Sequence, residues 1–466
     1  MTLARDLAWQ SLELVYRTSI ASQFARYALS IRYESLPKGV VHQAKCSLLD
    51  ALGCALGAYD APGVSICEAT ARELGGPEEA TVFGSGMRTS ALNAALVNSF
   101  LVRYLDYNDL GGGGHNSDAI PAILAVSERQ KAGGRDFLAS MVVSYELGAR
   151  VAYSSSAPWE DKGVNLDVRG GLNMPPALGK LLGLSEEQIA NAIGICASHC
   201  LPLKILDANR EENTMSKNIR FGWVAHDAIL ACLLAKRGFT GPVRVVEGDS
   251  GFCQTLLRGD LDFERMTDFS GWRILNTRYK VVCANASTIA HILSTLAIVK
   301  EHDLKPEDIA SVQIKASPHE ARHTTTFAKK YARNGESGDH SAFYGNAIAI
   351  KERHFGAESF KSEKFTDPVV LDLIELMTVE ADPTLPKFGG GSVITTRDSR
   401  RFEKRIETPH GFGDDPLTDK ELEYKFREMA AKRMSQQQVE KIIDAVWNVE
   451  KLDNMSKLAA LMVFPS

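Results

Sequence analysis

No stretch of this chain approaches the ~20 consecutive apolar residues that a membrane-spanning helix needs, and no polybasic tract marks a membrane-surface segment. A basic excess is missing too: 53 Lys and Arg stand against 58 Asp and Glu, a formal net charge of -5. The overall field therefore offers no grip on nucleic acid, and an anionic ligand has to be held by a few placed cations. The eight cysteines contain no Cys-x-x-Cys pair. Most lie in apolar, helical-looking runs such as Cys46–Asp50 and Ala231–Ala235, and they read as small buried hydrophobes in a reducing compartment. Cys196 and Cys200, with His199 beside them, make at most half a zinc site, because no second ligand pair at suitable spacing follows; no metal is expected. Met1–Leu29 lacks a basic stretch followed by an apolar one and carries Asp6 and Glu13, so a cytoplasmic protein without a secretory signal is expected.

What is present is an ordinary globular composition, 44% hydrophobic and 24% charged over 466 residues, enough for about three domain-sized units. From about Ala21 to Gly259 the pattern is helical almost throughout. Ala91–Tyr107 places apolar residues at i, i+3, i+4 and i+7, and Ile120–Gly133, Arg135–Val151, Pro175–Leu184 and Glu186–His199 read the same way. Ser185 with Gln188 three residues on is a reciprocal helix-start signal. Near Trp272 the character changes. Ala310–Ser317 and Ser392–Thr396 alternate with period two, and Phe402–Thr408 follows a turn at Arg397–Arg400. Helical stretches at Ala284–Glu301 and Ala342–Arg353 lie between them. From Thr418 charged amphipathic helices return, over Asp419–Arg433 and Ser435–Val449. The expected fold is mainly α: a large all-α helical domain formed by both chain ends (1–271 and 410–466), with an inserted α+β domain over 272–409.

The densest polar cluster runs from Arg103 through Asp106, Asn108 and Asp109 to His115-Asn116-Ser117-Asp118, interrupted by the glycines Gly111–Gly114. The glycines permit a sharp turn, and Ser117 or Asp118 is placed to cap the next helix, with Pro121 in its first turn. A capped loop does not need Asp106, Asn108 or His115. A carboxylate and an imidazole brought together are an acid/base or orienting pair. Lys217 and Arg220 open a further apolar helix, where cations are disfavoured unless an anion compensates. Gly338-Asp339-His340-Ser341 is another helix-start signal that carries a histidine.

Together these segments resemble the MmgE/PrpD family. The run Leu105-Asp106-Tyr107-Asn108-Asp109, then His115-Asn116-Ser117-Asp118 and Pro121–Ala125, is similar to its most distinctive signature. Leu48–Gly53, Gly179–Leu184, Lys217 with Gly222, Tyr279–Val282 and Asp339-His340-Ser341 with Tyr344 match further family motifs in the same order, along nearly the whole chain. The resemblance implies that the α+β insert is a lid domain, and it implies a homodimer with a cofactor-free interdomain site for a di- or tricarboxylate. It maps pocket residues onto Asp106, His115, Lys217, Lys280, His340 and Tyr344. The chain departs from the pattern in places. Asn116 and Cys283 replace prolines, no histidine occurs between His115 and His199, and Ser287-Thr288-Ile289 stands where a histidine is usual, with His291 shortly after. These losses weigh most against decarboxylation.

The expected function is therefore a cofactor-independent lyase, a dehydratase of a 2-methylcitrate- or citrate-like acid. Asp106, His115, His340 and Tyr344 are its expected catalytic residues, and Asn108, Lys217 and Lys280 are expected to bind substrate. Decarboxylation of a cis-aconitate-like acid, epimerisation of an iminodisuccinate-like one, and a catalytically inactive carboxylate binder are the alternatives.

Overall fold

The computed structural model describes residues 13–111 and 114–465; Gly112, Gly113 and the Met1–Leu12 part of the leader reading lie outside them. The fold is mainly α, as the periodicity predicts. Ser185 accepts from the Gln188 amide while the Gln188 side chain accepts from Ser185, starting the Glu186–His199 helix where the capping signal puts it. Ser90 likewise caps Ala91–Tyr104.

Two hydrophobic cores form. The larger gathers residues from Ile20 to Cys283 and, from the far end of the chain, Leu422 to Met462. Phe426 of the Asp419–Ala430 helix packs against Gly53 of the Lys38–Gly57 helix. Beside it Lys425 donates to Asp50 at 2.7 Å, so this buried pair staples the C-terminal helices to the first half of the chain. The smaller core runs from Val282 to Phe412. Its sheet has four strands in the order Met377–Ala381, Ile309–Ala316, Gly390–Thr396, Arg401–Ile406, and only the first pair is parallel. The Ile309–Ala316 strand buries alternate residues, Val312, Ile314 and Ala316, which is why its sequence alternates.

The differences from the sequence pattern have local causes. Met377–Ala381 is a strand that the alternation of Met-Thr-Val-Glu-Ala is too short to announce. The Ala91 helix stops at Tyr104, not Tyr107, because Asp106 takes a left-handed backbone (φ 44°). The next helix starts at Ile120 without a side-chain cap. Ser117 and Asp118 instead lie in a 3-10 turn, Asn116–Ala119, and their side chains face inward.

One glycine sets the crossing that builds the site. The helices Ala91–Tyr104 and Ser216–Lys236 pack so closely that a Cβ on Gly222 would lie 2.8 Å from the Leu96 carbonyl oxygen. That contact brings the first turn of the second helix, with Lys217 and Arg220, alongside the end of the first, with Arg103.

Candidate active site

The left-handed residue at the helix end is usually glycine or asparagine. Here it is Asp106, and the turn drives its carboxylate into the interior, where it is fully buried. Arg103, one turn earlier, donates to Oδ1 at 2.6 Å. The loop then pairs with the junction between the two cores: Leu110 and Arg278 exchange backbone hydrogen bonds. That pairing sets Lys280 so that its ammonium donates to both the carbonyl and the Oδ1 of Asp106, each at 2.6 Å.

Two imidazoles face the same carboxylate. His115 Nε2 is 3.4 Å from Asp106 Oδ1, and His340 Nδ1 is 3.9 Å from Oδ2. His340 is oriented by its neighbour: Nδ1 is 2.6 Å from Asp339 Oδ1, while Nε2 meets the Asn285 side-chain amide at 2.9 Å. Asp339 in turn is ion-paired to the buried Lys217. His115 differs, because its Nδ1 has no hydrogen-bond partner among the described residues.

The charges set the protonation states. Burial pushes the Asp106 carboxyl up, but Arg103 and Lys280 together outweigh it and hold the group well below the usual carboxylate range. Burial, then the nearby cations Arg103 and Lys280, push His115 well below its ordinary value. Burial and Lys217 push His340 down to about 4. Both imidazoles are therefore neutral at neutral pH, poised to accept a proton beside an ionised carboxylate. Behind them burial pushes the Asp118 carboxyl up, to about 8, against the pull of Arg103.

His115 and His340 open onto a cavity of about 190 Å³ between the two cores. The cations that line it are Arg103, Lys204, Arg220 and Lys387. Arg220 is clamped by Asp167 and, at 3.0 Å, by Asp207, which also pairs with Lys204 at 2.9 Å. This layer presents fixed positive groups held in place by carboxylates, suited to a small polyanion. The space holds a small organic acid, since a water occupies roughly 10–15 Å³ by the same measure.

Several sequence candidates land elsewhere. Lys217 and Lys280 do converge on one polar cluster, but both are fully buried behind the imidazoles, paired to Asp339 and Asp106, and neither lines the cavity. Asn108 is also buried. It donates to Ser117 and Asp118, each at 2.8 Å, and holds the loop, and it does not line the cavity. Asp109 accepts from Ser117 and from Tyr145, further fixing the turn. Tyr344 points away: its hydroxyl donates to the Ser359 carbonyl at 2.5 Å and its ring stacks on Phe365 at 4.4 Å. Its phenol packs the smaller core instead of facing the cavity.

Other cavity residues are absent from the sequence reading. Lys204, Asp207, Asn285 and Lys387 lie in loops or short turns with no motif of their own. Asn165 and Asp167 occupy the cavity wall in the segment that lacks a histidine. His319 and His323 did carry a signal, two histidines one helical turn apart.

Comparison with known proteins agrees with this architecture. The MmgE/PrpD N-terminal domain matches residues 22–264, and the MmgE/PrpD C-terminal domain matches residues 282–449. Human cis-aconitate decarboxylase is 26% identical over 481 aligned residues, covering 96% of this chain and 95% of its own length. An alkylcitrate dehydratase from a fungal species is 26% identical over 450 residues, covering 87% of this chain and 86% of its own. The 2-methylcitrate dehydratase of Salmonella typhi is 23% identical over 463 residues, covering 91% of this chain and 93% of its own. Matched over both halves, with the loop from Asp106 to Asp118 and the Asp339-His340 pair at its centre, the chain belongs to the MmgE/PrpD family.

Proposed function

We propose that the protein is a hydro-lyase that dehydrates a small citrate- or 2-methylcitrate-like acid, using its own side chains for proton transfer. One observation carries the reading: two neutral imidazoles, His115 and His340, flank the ionised Asp106 at the base of a cation-lined cavity between the two cores. A proton α to a carboxylate is barely acidic, so its removal requires the charge developing on that carboxylate to be met by fixed cations. Arg103 and Arg220 are assigned that role. His115, which lines the cavity and whose Nδ1 has no hydrogen-bond partner among the described residues, takes the proton. His340, oriented by Asp339, protonates the hydroxide leaving from the neighbouring carbon.

His340 is neutral in the free protein and must gain a proton to act as the acid. An anionic substrate beside it stabilises the imidazolium and raises its pKa from about 4. Binding of citrate at pH 6–7 is therefore expected to take up between zero and one proton, read by calorimetry in two buffers of different ionisation enthalpy. Zero uptake removes His340 as the acid.

The segment from residue 272 to 409 is proposed to act as a lid over this cavity. A homodimer and a cytoplasmic location complete the reading. Leu201, Leu203 and Ile205, exposed within one short segment, support a dimer, and the eight free, buried cysteines support a reducing compartment. A second reading, an inactive carboxylate binder, is favoured by the absence of histidine between His115 and His199. Purified protein with citrate, 2-methylcitrate and cis-aconitate, followed by NMR, tests both. Vinyl proton signals growing from the hydroxy acids are expected. A ligand at ~100 times its dissociation constant should also stabilise the fold by about 2.7 kcal/mol. Stabilisation without turnover selects the inactive binder, and neither effect rejects the cavity as a carboxylate site.

A further inference from the structure

Of the four cations that line the cavity, three are neutralised where they stand. Arg103 is held by Asp106 at 2.6 Å, Arg220 by Asp167 and Asp207, and Lys204 by Asp207 at 2.9 Å. Among the lining residues these three cations are matched in number by the carboxylates of Glu160, Asp167 and Asp207. Arg103, Lys204 and Arg220 can orient a ligand carboxylate through hydrogen bonds, but as a set they bring it no net charge. Lys387 is the fourth cation. It is exposed, it lines the cavity, and no carboxylate pairs with it among the described residues. The excess positive charge of the permanently ionised lining is therefore its ammonium.

The backbone is strained to put that group there. Pro386 to Gly389 form a tight turn in the loop between the strands Met377–Ala381 and Gly390–Thr396, closed by the Gly389 amide donating to the Pro386 carbonyl at 2.9 Å. The third position of the turn has a left-handed backbone, for which glycine is the ordinary residue. Phe388 occupies it, at φ 66°. A bulky side chain in that region is an outlier that a local gain has to offset, and the Phe388 ring supplies two. It packs edge to face on Phe412 of the smaller core, with ring centres 5.6 Å apart. The Lys387 ammonium lies 5.0 Å from the centre of the same ring, a favourable cation–π placement. A glycine would make the turn without strain and leave the lysine without its platform. The turn thus holds a cation against the cavity from the smaller core, across from Arg103 and Arg220 on the helices of the larger one.

We propose that Lys387 binds an outer carboxylate of the substrate and sets a preference for tricarboxylates over dicarboxylates. The assignment rests on the dehydratase reading of this cavity and extends it. In a citrate-like acid one carboxymethyl arm loses the proton and the central carbon loses hydroxide, so the second arm takes no part in making or breaking bonds. With the reacting arm beside the buried imidazoles His115 and His340, the second arm points to the exposed rim, where Lys387 meets its carboxylate. A contact so far from the reacting carbons serves to orient the substrate. Glu160 works in the opposite sense. It is exposed, lines the same cavity and has no ion-pair partner among the described residues, so it repels a third carboxylate. Lys387 is the group that offsets it.

The test uses the full chain and two acids that have no hydroxyl to lose: tricarballylate, and succinate, which is tricarballylate without one carboxymethyl arm. Calorimetric titration at neutral pH and low salt should show tricarballylate binding weakened about tenfold in Lys387→Met, the effect of losing one charge-assisted contact. Succinate affinity should stay the same in that variant. Lys387→Arg should keep most of the tricarballylate affinity, and Glu160→Gln should raise it. The fall of tricarballylate affinity with added salt should also be shallower in Lys387→Met. Lys387 is exposed, so its variants keep the fold, checked by thermal unfolding. Equal losses for the two acids overturn the preference, and tricarballylate affinity that survives Lys387→Met overturns the contact. Either result, with the wild type still binding tricarballylate, fails this proposal alone. A wild type that binds neither acid fails the carboxylate site itself and the proposal with it.

Discussion

Replacing Lys280 with methionine is expected to lower the stability of the ligand-free protein by about 3–5 kcal/mol, the usual cost of removing one partner of a buried ion pair. Lys280 is fully buried and makes two short hydrogen bonds to Asp106. Without it the Asp106 carbonyl loses its donor and, among the described residues, the carboxylate keeps only Arg103 as a hydrogen-bonded cation. The remaining guanidinium keeps the effect near the lower end of the range. The sequence alone leads to the opposite expectation, a lysine free to clamp a substrate carboxylate and nearly neutral for stability. Urea unfolding without ligand separates the two. Asp106→Asn in the same background should recover part of the loss, because the stranded charge is then gone; a coupling of about 0.5–3 kcal/mol is expected from the double-mutant cycle. A change under about 1 kcal/mol in Lys280→Met, with citrate affinity falling sharply, would restore the clamp reading.

The contrast shows what a sequence of this kind reveals and what it hides. Helix existence was legible because helix-period apolar patterns and side-chain caps act locally, as at Ser185. The loop Asp106–Asp118 was legible as special because its polar residues exceed what a turn requires. Its internal division was not. Asn108, Asp109 and Ser117 spend their hydrogen bonds holding the loop, whereas Asp106 holds the buried cations and the imidazoles together and His115 lines the cavity, and that distinction depends on which side chains the left-handed turn at Asp106 sends inward. The convergence of Lys217 and Lys280 was legible from their place in ordered motifs. Their partners were not, because Asp339 and Asp106 lie 122 and 174 residues away in sequence. Cations of the outer layer such as Lys204 and Lys387 sit in loops with no periodicity to announce them. Arg220, in a helix first turn, left a trace, since a cation there needs an anion, and the structure supplies Asp167 and Asp207.

Replacing His115 with alanine is expected to reduce turnover by ~10²–10⁴-fold, the range for loss of a positioned acid or base, while the fold survives. The stability argument runs opposite to that for Lys280. His115 is neutral and its Nδ1 has no partner among the described residues, so deletion strands no buried charge, and Asp106 retains both Arg103 and Lys280. A loss of about 1–2 kcal/mol from the vacated space is the expected cost. The division of labour between the two imidazoles gives a sharper readout than rate alone. In D₂O the wild type should exchange the substrate's α-proton as well as eliminate hydroxide. His115→Ala should lose both, because no base remains to break the C–H bond. His340→Ala should keep exchange and lose elimination, because the proton still leaves but the hydroxide finds no acid. The acid limb of kcat/KM follows from the same charges. Both imidazoles are held below their ordinary value in the free protein, so activity should persist as pH falls through 6.5 and fail only where the base, His115, itself takes up a proton; protonation of His340 readies the acid and does not by itself end activity. The limb of kcat, measured in the substrate complex, should lie higher, since the bound polyanion favours the protonated ring. Exchange retained at full rate in His115→Ala would move the base to another residue of the cavity wall, and Asp167, standing in the segment that lacks a histidine, would then be the next carboxylate to test.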